Sequence, residues 1–67
     1  MKTYLVSTDP DMFNAVVSAL KQQGIAITKQ MDVIAILSVS CRPDQKAIVE
    51  QIPGVMAVEE EGTSFAL

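Results

Sequence analysis

The chain opens on Lys2-Thr3-Tyr4-Leu5-Val6-Ser7, where Thr3, Tyr4 and Val6 supply the β-branched and aromatic bulk of a short first strand. Thr8-Asp9-Pro10-Asp11 then reads as a helix start. Asp9 can cap free backbone N–H groups, Pro10 suits the first helical position, and Asp11 complements the positive end of the helix dipole. Phe13, Val16, Val17 and Leu20 recur at i, i+3, i+4 and i+7, which predicts one buried helical stripe. Lys21 and Gly24 close it, because glycine takes the left-handed conformation that ends helices. Ile25 to Thr28 predicts a second strand, Gln30-Met31-Asp32 a reversal, and the Val/Ile-rich run from Val33 to Val39 a third strand. Arg42-Pro43-Asp44 opens a second helix that is predicted to run through Ile52 and to stop at Pro53-Gly54. Val55 to Val58 is a fourth strand, and Glu59-Glu60-Glu61-Gly62 leads into a tail, Thr63 to Leu67.

The order strand, helix, strand, strand, helix, strand predicts an α+β fold of the ferredoxin-like, split βαββαβ type. It is one domain over residues 1–67, an antiparallel sheet with two helices on one face. The other sheet face has no helix to cover it. A wholly solvated face would alternate cleanly between apolar and polar residues. The third strand breaks that rule: Val33, Ala35, Leu37 and Val39 fall on one side, Ile34 and Ile36 on the other. A face carrying Ile34 and Ile36 is expected to pack on a partner protein or on a second copy, as a homodimer.

Composition narrows the function. Hydrophobic residues make up 49% and charged residues 19% of the chain, so it should fold. A domain of 67 residues buries only ~60% of its unfolded surface, which leaves little scaffold for an elaborate cavity. The net charge is −3 and Lys2, Lys21, Lys29, Arg42 and Lys46 are dispersed, so nucleic acid is not an expected partner. Histidine is absent and Cys41 is the lone cysteine, which removes the usual acid/base group, the commonest metal ligand and any CxxC pair. Without histidine to activate it, Cys41 reads as a small buried hydrophobe. Glu59, Glu60 and Glu61 form the one charge cluster, but a flexible acidic run makes a poor cation cage. No enzyme, cofactor or metal is therefore expected. The longest uncharged run, Val33 to Cys41, is about half a ~20-residue membrane span, so no membrane association is expected. Tyr4-Leu5-Val6 is too short for a signal-peptide core. The expected setting is soluble and cytoplasmic, although a propeptide cut from a longer precursor would read alike.

Ile52-Pro53-Gly54-Val55-Met56-Ala57-Val58-Glu59-Glu60-Glu61 resembles the signature of subtilisin propeptides and their free-standing inhibitor relatives: leucine-proline-glycine-valine, two residues, valine and an acidic run. Tyr4-Leu5-Val6 is similar to the family's opening Tyr-Ile-Val strand, and Gly24 to Gln30 to its second strand and hairpin. Val49 and Ile52 fall where its second helix presents apolar residues. The resemblance covers nearly the whole chain, although Lys46 replaces a usually apolar helix residue and Ser64 stands where subtilisins favour an apolar side chain. It implies a partner, a subtilisin-like serine protease that the chain inhibits or helps to fold. The open face with Ile34 and Ile36 would pack on two protease helices. Glu59, Glu60 or Glu61 would accept hydrogen bonds from those helices' N-termini, which carry free N–H groups and partial positive charge. Ser64, Phe65, Ala66 and Leu67 would lie in the substrate cleft as a product mimic, with Leu67 in the primary pocket. The rival expectation is a small self-associating regulatory domain that binds a metabolite at its interface.

Overall fold

In the computed structural model, which describes residues 2–61, four strands and two helices follow the expected order. They are β1 (Lys2–Thr8), α1 (Phe13–Gln22), β2 (Ala26–Met31), β3 (Ile36–Cys41), α2 (Lys46–Glu50) and β4 (Val55–Glu60). The strands form one sheet in the order β2-β3-β1-β4, and every neighbouring pair is antiparallel. This is the ferredoxin-like α+β sandwich. Both helices bury their apolar side chains on one sheet face, because alternate strand residues point there. Tyr4 and Val6 of β1 and Leu37, Val39 and Cys41 of β3 meet Phe13, Val16 and Leu20 of α1, with Val49 of α2 and Ile52 after it. Val17 packs at the margin of this core.

Each helix is entered through a tight 3₁₀ turn, Pro10–Met12 before α1 and Pro43–Gln45 before α2. Asp9 Oδ1 accepts the Asp11 N–H at 3.0 Å, as its capping chemistry requires. At the second turn Gln45 Oε1 accepts the Arg42 N–H at 3.0 Å. The expected helix from Arg42 to Ile52 is consequently shorter, and α2 proper spans only Lys46–Glu50. Pro43 and Pro53 bracket the segment and neither has an N–H to extend the ladder.

The hairpin departs further from expectation. β2 continues through Gln30 and Met31, so the chain reverses later, over residues 32–35, and β3 begins at Ile36 instead of Val33. Ala35 has φ of 57°, a left-handed conformation incompatible with a strand. Its N–H donates to the Asp32 carbonyl at 3.3 Å, and its own carbonyl accepts both the Thr8 N–H and the Thr8 hydroxyl at 2.9 Å. Ala35 is buried because this clamp pins the turn to β1, not because it lines a strand face. Val33 and Ile34 are left exposed on the turn.

Candidate protein-binding face

The helix-free face of the sheet can be read row by row from the strand register. One row runs Met31, Ile36, Ser7, Ala57 across β2, β3, β1 and β4. The next runs Lys29, Ser38, Leu5, Glu59. The third runs Ala26, Ser40, Thr3, and ends at Glu61, whose N–H donates to the Thr3 carbonyl at 2.8 Å. Leu5, Met31 and Ile36 are half-buried apolar groups amid Ser7, Ser38 and Thr3. The face is therefore mixed: apolar groups separated by small hydroxyl residues. Ile36 lies on this face as its parity demands, whereas Ile34 sits on the turn at 59% exposure and belongs to no sheet row. The alternation Thr3-Leu5-Ser7 carries the signal for Leu5 as a face residue, which the sequence reading did not draw. Met31 falls in a segment that reads as a reversal, and the register places it on the open face at the end of β2.

The three glutamates separate by the same alternation. Glu59 pairs across from Leu5 on the open face, and Glu61 continues the ladder on Glu59's side. Glu60 faces the opposite way, in register with buried Tyr4, and its Oε2 accepts from Lys2 Nζ at 3.0 Å. That hydrogen bond, helped by the carboxylate's charge, raises the Lys2 ammonium above its ordinary pKa. Glu59 is exposed and in no ion pair among the described residues. Ser64, Phe65, Ala66 and Leu67 lie outside the described residues.

Both edge strands carry an irregularity. Opposite Val39 and Ser38 of β3, the β2 register steps from Ile27 to Lys29, leaving Thr28 as an extra residue. Its hydroxyl donates to the Ser38 carbonyl at 3.1 Å. On β4 the register steps from Ala57 to Val55, so Met56 is extra and stands 73% exposed. Bulges on edge strands twist the edge and interrupt the row of backbone groups another strand would use. Beside β4 lies a shallow depression of ≈ 180 Å³ lined by Glu50, Val55, Met56, Ala57 and Val58. It is smaller than the ~300–1,000 Å³ of typical small-molecule sites.

Among the described residues no three metal-capable side chains come together. Cys41 is buried at the end of β3, and burial first, then the Asp44 charge, pushes its thiol pKa up. A raised thiol pKa keeps sulfur protonated and unreactive. No described helix is long and apolar enough to cross a membrane. Comparisons with protein-family models, with curated proteins and with solved structures find no match to this chain.

Proposed function

We propose that this domain is a non-catalytic protein-binding module that docks its helix-free sheet face on a subtilisin-like serine protease, inhibiting it or assisting its folding. The observation that carries the reading is the shared orientation of two chemistries. Glu59 and Glu61 fall on the same side of the sheet as Leu5 and Ile36, so one surface offers apolar contact and carboxylates together. Carboxylates at the rim of an apolar contact suit the free N–H groups at the starts of partner helices. Ser64 to Leu67 then reach the substrate cleft as an added strand, with Leu67 in the primary pocket. Burying that side chain contributes ~1.5–3 kcal/mol, or about one to two decades of affinity.

Inhibition of a subtilisin-type protease is the direct test. Deleting residues 64–67, or replacing Leu67 with Asp, is expected to raise the inhibition constant at least about tenfold while the melting temperature stays unchanged. Absence of inhibition by the intact chain, or equal inhibition by the truncated one, overturns the proposal.

A further inference from the structure

We propose that the helix-free sheet face is self-complementary and pairs with a second copy of this chain about a two-fold axis parallel to the strands. This inference does not depend on the protease reading. It starts from the middle row of the face, which places Lys29 at one edge and Glu59 at the other, with Ser38 and Leu5 between them. Lys29 and Glu59 are both exposed, and neither has an ion-pair partner among the described residues.

When two sheets stack face to face, only two orientations of a two-fold axis keep the strands aligned. An axis across the strands sets β2 over β2 and β4 over β4, which brings Lys29 over Lys29 and Glu59 over Glu59 when the middle rows coincide. An axis along the strands sets β2 over β4 and β3 over β1. Each row then lies over its own copy in reverse. Lys29 meets the second copy's Glu59, and Glu59 meets its Lys29. Leu5 covers the small Ser38, and Ile36 covers the small Ser7. Large side chains opposite small ones interdigitate, and opposite charges close both rims. The usual angle of roughly 30° between stacked sheets shifts the row ends by only a few ångströms, within reach of a lysine side chain.

The two bulges favour this arrangement over side-by-side sheet extension, because Thr28 and Met56 disrupt the edges such extension would use. The face sets the strength. Four strands about 4.8 Å apart and three rows about 6.8 Å apart give roughly 800 Å² counted over both copies. That is below the standard interface and belongs with weak, concentration-dependent association. The dimer and a partner seated on the same face exclude one another.

The test is sedimentation equilibrium of the full chain, loaded from about 10 µM to about 1 mM, with charge-swapped variants. The intact chain is expected to form a dimer within this range. Lys29→Glu and Glu59→Lys, each singly, are expected to weaken it at least about tenfold, since each creates two like-charge contacts. The double exchange recreates both pairs and is expected to return the constant to within about threefold of the original. Circular dichroism checks the fold of every variant, and Lys29→Gln serves in place of any reversed charge that fails to fold, with a smaller loss expected. A monomer throughout the range, a folded reversal that dimerises unchanged, or a double exchange as weak as the singles overturns the proposal.

Discussion

Gly54 shows how much one missing side chain can govern. It adopts φ of 97°, and a Cβ there would stand 2.8 Å from Met12 Cβ and 2.9 Å from Val16 Cγ2. Neither neighbour is the free end of a flexible chain, so α1 would have to move. Its carbonyl also accepts the Asp9 N–H at 2.8 Å, tying the start of β4 to the entry of α1. Gly24 makes the control, because it has φ of 74° but nothing within 4 Å of its would-be Cβ. We predict that Gly54→Ala costs about 2–4 kcal/mol, from backbone strain plus overpacking, and Gly24→Ala about 1–2 kcal/mol, from strain alone. A domain this size holds only roughly 3–10 kcal/mol in total. Urea titration of both variants decides the matter, and equal losses would discard the close-approach account. The Pro-Gly pair was legible as a stop signal in the sequence, but the contact with Met12 and Val16 was not, since it joins residues about forty apart in the chain.

At the scale of the element, β4 divides its acidic end between two tasks by alternation alone. Glu60 turns to the helix side and meets Lys2, while Glu59 turns to the open face. We predict opposite outcomes for their neutral variants. Glu60→Gln should lower the urea midpoint modestly and leave the proposed protease inhibition unchanged; Glu59→Gln should leave the midpoint unchanged and weaken that proposed inhibition a few-fold. The pH dependence follows from the raised Lys2 pKa. A cation bound more tightly in the folded state stabilises below its unfolded pKa, here about 10.5, and the gain disappears as pH climbs through the higher folded value. The Glu60→Gln variant should accordingly lose that alkaline component. Swapped phenotypes for the two variants would mean that β4 is out of register. The acidic run was plain in the sequence, but which carboxylate faced where depended on Met56. As the extra residue of a bulge, Met56 resets the parity of the strand, and no periodicity marks it.

For the molecule as a whole, Cys41 is a built-in reporter of cooperative opening, since its sulfur is enclosed at the end of β3 and its thiol pKa is raised by burial. We predict that a thiol reagent labels the native protein at least about a hundredfold more slowly than the urea-unfolded chain, with a rate that rises in step with global unfolding. Labelling in native buffer at the rate of a free thiol would place Cys41 outside the core. That Cys41 would be buried was readable from the absence of any activating group. Element order, the α1 stripe of Phe13, Val16 and Leu20, and the sheet-plus-two-helices architecture were likewise readable. These are set by local spacing and by burial, which act along the chain. Tertiary structure decided the rest. Thr8 reaching the Ala35 carbonyl moved the hairpin turn to residues 32–35, took Ile34 off the sheet and left Ile36 on it. The bulges at Thr28 and Met56 chose the partners of each row, and so brought Lys29, Leu5 and Glu59 onto one line of one face. Cross-strand register arises from contacts between distant segments, and one extra residue changes it, so a linear pattern of apolar and polar positions cannot hold that information.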